Sequence, residues 1–129
     1  MRTFEDLKEI VAVLRSDHGC PWDRKQTLES LKPYLLEESG EVLAAIDHHD
    51  MENLCEELGD VLFTIVNLAR FLKADSEMAL LGCNQKFRSR FSFVEQKVRE
   101  QGGSWQDFTL AQLDEYWNEA KRQQEKPIH

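Results

Sequence analysis

The stretch YLLEESGEVLAAIDHHDMENLCEELGDVLF, residues 34–63, decides the fold of this chain. Its apolar residues recur every three or four positions on both sides of the HHDM segment, which predicts two amphipathic helices. The first is expected from Thr27 to about His48 and the second from about Asp50 to Lys73. Because the connection between them is so short, we expect the two helices to lie antiparallel as a helical hairpin.

The sequence on either side of this hairpin also predicts helices and no strand. Helical spacing predicts further helices over residues 3–15, 76–101 and 109–124, the last of which opens with the capping-box sequence TLAQ. The segment DHGCPWDRKQ, residues 17–26, contains Gly19 and Pro21 and is predicted to be an ordered loop. We therefore expect an all-α protein with one domain over residues 1–129 and a frayed tail at 125–129.

Composition limits the partners and the compartment of this protein. The 129 residues carry a formal net charge of -8, and an acidic surface repels nucleic-acid duplexes and anionic membranes. The three cysteines are odd in number and form no CxxC pair, which argues against a disulfide framework or a zinc knuckle. No signal peptide and no apolar run long enough to span a bilayer is apparent, so we expect a cytoplasmic protein without a membrane partner.

The hairpin carries acidic residues that have no basic neighbours in the sequence. No Lys or Arg occurs between Lys32 and Arg70, so ion pairing at helical spacing does not explain the acids of this interval. Taking 100° per residue places Glu38 and Glu57 with the apolar faces of their helices. The acids three residues later, Glu41 and Asp60, lie at the edges of the same faces.

Four carboxylates brought together in this way need a counter-charge, because desolvating several unpaired ionised groups is very unfavourable. Either some of them bind protons or a divalent cation lies among them. Oxygen ligands without His or Cys favour Mg²⁺, Mn²⁺ or Ca²⁺ over zinc. A single pair of acids at a spacing of three is usually only solvated surface, but two such pairs on adjacent helices favour a metal site.

Two cations follow in the segment NQKFRSRF, where Lys86 and Arg90 are separated by one helical turn. Their side chains could contact phosphate oxygens, or they could pair with the acids or cover the boundary of an apolar face. The apolar stripe beside them is predicted to contain Cys83, Phe87, Val94 and Val98. Aromatic residues that could stack on a base, or instead anchor the core or an interface, are Trp22, Trp105 and Trp117.

Taken together, these motifs resemble those of the MazG-type nucleotide pyrophosphohydrolases over nearly the whole chain. The matching motifs are CPWD at residues 20–23 followed by QT, EExxE at 37–41, ExxD at 57–60 and NxKFxxRF at 84–91. The resemblance implies helical hairpins that form a four-helix bundle completed across a homodimer or a higher homo-oligomer. It also implies hydrolysis of a ribo- or deoxyribonucleoside triphosphate to the monophosphate and pyrophosphate.

The resemblance further implies a role for individual residues. The carboxylates expected to hold Mg²⁺, with Mn²⁺ as a substitute, are Glu38, Glu41, Glu57 and Asp60. Glu37 and Glu38 are the catalytic candidates, one of them accepting the proton of a metal-activated water. The residues expected to bind substrate are Lys86, Arg90, Trp117, Lys121 and Trp22.

Two other functions stay open from the sequence. A helical pyrophosphatase with a narrow substrate, such as dUTP or a phosphoribosyl nucleotide, would use the same acids and differ only in its substrate profile. A non-catalytic helical interaction module stabilised by metal would bind the cation without turnover. A di-iron carboxylate bundle is disfavoured, because that class needs Glu-x-x-His pairs and this chain has none.

Overall fold

The computed structural model describes residues 3–72 and 76–124, and within these ranges every regular element is helical, as predicted. The elements are α1 (Thr3–Leu14), α2 (Pro21–Arg24), α3 (Leu28–Asp47), α4 (Met51–Ala69), α5 (Ser76–Glu100), a short 3₁₀ helix (Trp105–Asp107) and α6 (Leu110–Gln124). The tail predicted to fray, residues 125–129, lies outside the described residues. None of the described helices is long and apolar enough to cross a membrane.

The chain divides into two compact units, Met1–Ala79 and Leu80–His129. In the first unit, α3 packs along α4 as the predicted hairpin, and α1 packs against α4. The turn of the hairpin passes through His49, which adopts a left-handed φ of 54°. Asp50 then caps α4, because its carboxylate accepts a hydrogen bond of 3.1 Å from the Asn53 amide. The core of this unit contains the buried side chains of Val11, Leu31, Ala45, Val66 and Ala69.

Reciprocal side-chain caps fix the start of two helices. At α3 the Ser30 amide donates to the Thr27 hydroxyl at 3.1 Å, and the Thr27 amide donates to the Ser30 hydroxyl at 2.8 Å. At α6 the Gln112 amide donates to the Thr109 hydroxyl at 3.1 Å, and the Thr109 amide donates to the Gln112 side chain at 2.8 Å. Each pair satisfies two backbone donors that a helix start leaves without a partner. The capping box predicted from TLAQ is therefore confirmed.

The loop predicted over residues 17–26 is wrong in part, since Pro21–Arg24 form a short helix. Pro21 stands at the first helical position, where a missing N–H costs nothing and a fixed φ favours the helix. Just before it the chain approaches the end of α1 closely, and a Cβ at Gly19 would overlap the Leu14 carbonyl. The proline therefore starts a helix here, whereas the sequence pattern predicted only that it would interrupt one.

The end predicted for α4 at Lys73 is also wrong, because the helix ends at Ala69. The amides of the next three residues donate to carbonyls only three positions back, which closes the helix with a tighter turn. Lys73 itself lies outside the described residues. The predicted bounds of α3 and α5 agree with the structure to within one residue.

The second unit is organised around the contact of α5 with α6. Val94, Val98 and Ala120 are buried, and the Lys97 ammonium lies 4.0 Å from the Glu119 carboxylate. The Phe91 ring stacks on Trp105 with 5.8 Å between centroids. The apolar stripe predicted along α5 is buried only at its last two positions, since Cys83 and Phe87 are exposed.

Candidate functional site

Three of the four carboxylates predicted to bind metal lie together in the first unit. Glu38 and Glu41 stand one turn apart on α3, and the packing of α4 on α3 brings Glu57 to the same place. One carboxylate oxygen from each residue lies within 4.8 Å of the other two. Glu38 and Glu57 are half-buried, whereas Glu41 is exposed at the rim. We call Glu38, Glu41 and Glu57 the acid cluster.

The two remaining acids of the predicted site lie beside the acid cluster and not within it. Asp60 is exposed on α4, one turn after Glu57, and offers no oxygen within the 4.8 Å set. Its charge nevertheless raises the pKa of both Glu38 and Glu57. Glu37, the predicted catalytic residue next to Glu38, is exposed, and its charge also raises the pKa of Glu38.

Glu38 and Glu57 hold their protons more tightly than isolated carboxyl groups do, because the pKa of each is raised. A hydrogen bond with Glu41 is the largest cause that raises the pKa of Glu57 from 4.5 to about 7, followed by burial and by the neighbouring negative charges. Burial is the largest cause that raises the pKa of Glu38, followed by the charge of Glu41 and a hydrogen bond with it. Neighbouring negative charges and burial away from water both disfavour the ionised form of a carboxyl group.

The structure also leaves two of these oxygens without a partner. The Oε2 atoms of Glu38 and Glu57 are buried from solvent and accept no hydrogen bond from the described residues. Within the described part of the first unit, no Lys or Arg lies within ion-pair distance of the acid cluster. Buried carboxylate oxygens without a partner are costly, and a hard divalent cation would satisfy them. The donor set therefore fits Mg²⁺ or Mn²⁺.

A cavity of about 140 Å³ opens beside the acid cluster, and Glu38 belongs to its wall. Trp22, predicted to bind substrate, forms one side and meets the Tyr34 ring edge-on at 5.6 Å between centroids. Asn67 also lines this cavity and is only 5% exposed. No motif singled out Asn67, although the sequence contains one signal for it: an amide within the apolar run of α4, seven residues after Asp60.

The cations predicted to bind phosphate lie in the second unit. Lys86 and Arg90 occupy one face of α5, and each approaches the Phe87 ring, at 5.3 Å and 5.9 Å from its centroid. Arg90 donates from Nε to the Gln124 side chain, which in turn donates to the Lys86 carbonyl at 3.4 Å. Within the described part of the second unit, neither cation pairs with a carboxylate. Their charges therefore remain available to a ligand.

The last predicted pair of substrate-binding residues lies on α6. Trp117 is half-buried, with its ring centroid 6.3 Å from that of Phe91. Lys121 is exposed one turn later on the same helix. The contact of Trp117 with Phe91 gives this residue a packing role within the second unit.

With the geometry described, comparison with known proteins decides the family. Residues 26–93 match the MazG nucleotide pyrophosphohydrolase domain, and this match includes the acid cluster, Asp60, Lys86 and Arg90. The chain belongs to the MazG family. The crystal structure of a MazG-related protein from Thermotoga maritima agrees with the fold, with a TM-score of 0.67 and 30% identity. That match covers 92% of this chain and 98% of the other.

Several MazG relatives carry names that state an activity. The nucleoside triphosphate pyrophosphohydrolase/pyrophosphatase MazG of Thermotoga maritima is 57% identical over 63 residues, which are 49% of this chain and 25% of that protein. The nucleoside triphosphate pyrophosphohydrolase of Escherichia coli is 42% identical over 76 residues, 58% of this chain and 29% of that protein. YabN of Bacillus subtilis, an uncharacterized protein, is 40% identical over 118 residues, 84% of this chain and 24% of its own length. The chain thus spans about a quarter of the length of the curated MazG relatives that it matches.

Proposed function

We propose that this chain hydrolyses ribo- or deoxyribonucleoside triphosphates to the monophosphate and pyrophosphate, with Mg²⁺ as its cofactor and Mn²⁺ as a substitute. One observation carries the proposal. Carboxylates from two helices converge within 4.8 Å, and two of their buried oxygens lack a partner. This happens in the part of the chain that matches the MazG nucleotide pyrophosphohydrolase domain.

The acid cluster would hold the cation, with Asp60 as a fourth ligand. Without a cation the acid cluster and Asp60 would repel the negative charge of a triphosphate. A divalent cation held there supplies Lewis-acid polarisation of phosphate oxygens and activation of water. By holding such a cation, the same carboxylates would bring the α-phosphate and that water together.

Glu37 and Glu38 are the proposed acceptors of the water proton. Glu37 is exposed beside the acid cluster, so its carboxylate is accessible to a water molecule at the site. The pKa of Glu38 is raised, chiefly by burial, which makes its carboxylate a stronger base for that proton. Substituting either residue by Gln removes the basic oxygen at nearly constant volume, so kcat measures the contribution of each.

Lys86 and Arg90 are proposed to bind the pyrophosphate leaving group, since both cations lie on one face of α5 without a carboxylate partner in the second unit. Guanidinium and ammonium groups stabilise the charge that develops on phosphate oxygens. Trp117 and Lys121 are proposed as further substrate contacts, and Trp22 as a contact to the base.

A homodimer, or a larger homo-oligomer, is proposed from the apolar surface of the hairpin. Leu36 is 78% exposed and Leu43 62% exposed, seven residues apart on α3. On α4 the exposed apolar residues are Met51, Leu58, Leu62 and Ile65. Residues at this spacing form a continuous stripe, and large exposed apolar stripes mark association surfaces. Two copies of the hairpin joined through these stripes would form a four-helix bundle.

A cytoplasmic location is proposed from the thiols and the charge. Cys55 and Cys83 are free and exposed, and exposed free thiols suit a reducing compartment. The net charge of -8 disfavours a nucleic-acid duplex or an anionic membrane as a partner.

The test is product analysis with the full set of common nucleoside triphosphates, with Mg²⁺ and with chelator. We expect monophosphate and pyrophosphate only with the metal, and ¹⁸O from labelled water in the monophosphate. The Glu38→Gln and Glu57→Gln variants are expected to lose at least about a hundredfold in kcat. Glu56→Gln, which changes an exposed acid next to Glu57, is the matched control and is expected to keep full turnover.

Other outcomes support the other functions. Cleavage of one nucleotide alone, such as dUTP or a phosphoribosyl nucleotide, supports a narrow-substrate pyrophosphatase. A rise in melting temperature with Mg²⁺ but no turnover of any nucleotide supports the non-catalytic interaction module. Formation of diphosphate and orthophosphate contradicts cleavage between the α- and β-phosphates.

A further inference from the structure

We infer that the cavity beside the acid cluster binds the base of the substrate, that its volume favours a pyrimidine over a purine, and that Asn67 accepts a hydrogen bond from this base. The inference rests on the proposed function for its choice of ligand. We call this space the base cavity.

The size of the base cavity favours a single ring. Its volume is about 140 Å³. An engineered protein cavity of about 150 Å³ binds benzene, so this space suits one six-membered ring. A purine adds a fused five-membered ring, and a volume of about 140 Å³ is small for both rings. The half-exposed Trp22 marks the open side, through which a ribose attached to the ring would leave.

The aromatic walls provide apolar contact for such a ring. Trp22 and Tyr34 meet edge-on, with 86° between their planes, and so form a corner. Phe63 and Leu31 add further apolar surface to the same cavity. A planar base that enters the corner would contact the face of one ring and the edge of the other, which is a favourable aromatic arrangement.

Asn67 supplies the polar observation that points to a ligand. Its Oδ1 atom is buried and accepts no hydrogen bond from the described residues, although the residue is only 5% exposed. A buried amide oxygen without a partner costs free energy, so this position is expected to bind water until a donor displaces it. The space can hold about four waters at roughly 30 Å³ each. A ligand that donates to Oδ1 would replace them.

The other polar groups that line the base cavity also favour a ligand that carries a hydrogen-bond donor. The Thr64 hydroxyl donates to the Asp60 carbonyl at 3.1 Å, so towards the cavity it can only accept. Asp23 is 8% exposed and lines the same wall. Pyrimidine bases have such donors: cytosine has an exocyclic amino group, and uracil and thymine have an N–H in the ring.

The base cavity also lies where a base must lie if the acid cluster holds the phosphates. Glu38 belongs to both the acid cluster and the cavity wall. Asn67 follows Asp60 by seven residues, which is two turns or roughly 10 Å along α4 at 1.5 Å per residue. One nucleotide can therefore place its phosphates at Glu38 and its base at Asn67 within the first unit.

The first experiment compares kcat/KM for the pyrimidine and purine triphosphates under saturating Mg²⁺. We expect at least about a tenfold preference for the pyrimidines. Asn67→Leu, which keeps volume and removes the amide, is expected to lower kcat/KM for pyrimidines about 10- to 100-fold while the melting temperature holds or rises. Asn67→Ala enlarges the cavity and is expected to shift the preference towards purines. Asn53→Ala, at an exposed position of α4, is the control. It should change neither kcat/KM for the pyrimidine triphosphates nor the preference for pyrimidines over purines.

The second experiment needs no turnover and therefore separates the two proposals. Millimolar 2′-deoxycytidine or 2′-deoxyadenosine is added to ¹⁵N-labelled protein, and the Asn67 side-chain amide and Trp22 indole signals are followed by NMR. We expect both signals to shift with the pyrimidine nucleoside and much less with the purine. If the signals do not move, or if they shift equally with both nucleosides, the proposal that the base cavity binds a pyrimidine is overturned. Equal hydrolysis of all triphosphates overturns it as well but leaves the proposed function intact, whereas shifts without hydrolysis overturn only the proposed function.

Discussion

Binding of a divalent cation is expected to displace a proton from Glu57, because only an ionised carboxylate is a good ligand for Mg²⁺. The pKa of Glu57 is raised from 4.5 to about 7. A group with this pKa is about 90% protonated at pH 6, half protonated at pH 7 and about 10% protonated at pH 8. The apparent association constant for the metal should therefore fall about tenfold per pH unit below 7 and level off above 8.

Isothermal titration calorimetry in pairs of buffers with different ionisation enthalpies measures both the affinity and the protons released. We expect about 0.9 proton per metal at pH 6 and about 0.1 at pH 8 from Glu57, to which Glu38 adds because its pKa is also raised. Glu57→Gln should bind metal more weakly at every pH and lose the part of the pH dependence that Glu57 contributes. Glu56→Gln should behave as the unchanged protein. An affinity that is the same at pH 6 and pH 8, or an unchanged slope in Glu57→Gln, would refute this reasoning.

The same raised pKa sets the sign of the pH effect on folding without metal. Between 4.5 and about 7, Glu57 is protonated in the native state and ionised in the unfolded state. The native state therefore binds more protons, and the free energy of unfolding falls as pH rises through this range. Melting curves in chelator should show this loss, and the melting temperature of Glu57→Gln should fall less over the same range.

Three further predictions concern association, the core and the leaving group. Leu43→Glu places a charge in the exposed apolar stripe and should convert a dimer to a monomer by light scattering, with the helical circular dichroism retained. Leu31→Ala, at a residue 3% exposed, should lower the free energy of unfolding by about 2–5 kcal/mol in urea denaturation, whereas Leu110→Ala at 86% exposure should change it little. Arg90→Ala should lower kcat/KM for triphosphates at least about tenfold while Mg²⁺ affinity measured without nucleotide stays constant, and a constant kcat/KM would remove Arg90 from the site.

The helices were predictable because the signals that form them are local. Thr27, Asp50 and Thr109 lie next to the helix starts that they cap, so spacing within a few residues is sufficient. The loop predicted over residues 17–26 was wrong in part because proline can either interrupt a helix or start one. Pro21 starts one. Prediction also failed at the end of α4, where a 3₁₀-like turn replaces the last predicted turn of the helix.

In the candidate site, too, spacing within one helix predicted some features, whereas packing between helices decided others. That Glu38 and Glu41 lie one turn apart followed from helical geometry alone. That Glu57 lies within 4.8 Å of the acids of α3, whereas Asp60 remains outside this set, depends on how far α4 is shifted along α3. Sequence spacing within one helix contains no information about that shift, which the packing of the buried side chains decides.

The sequence by itself determined helices, a hairpin with acids on or beside its inward faces, and the absence of nearby basic partners for them. Each of these properties depends on residue type and on the fixed rise and rotation of a helix. Only the tertiary structure decided which oxygens are buried without a partner and that Trp22, Tyr34 and Asn67 surround one cavity. These residues belong to α2, α3 and α4, and they line one cavity through packing between elements and not through any local pattern.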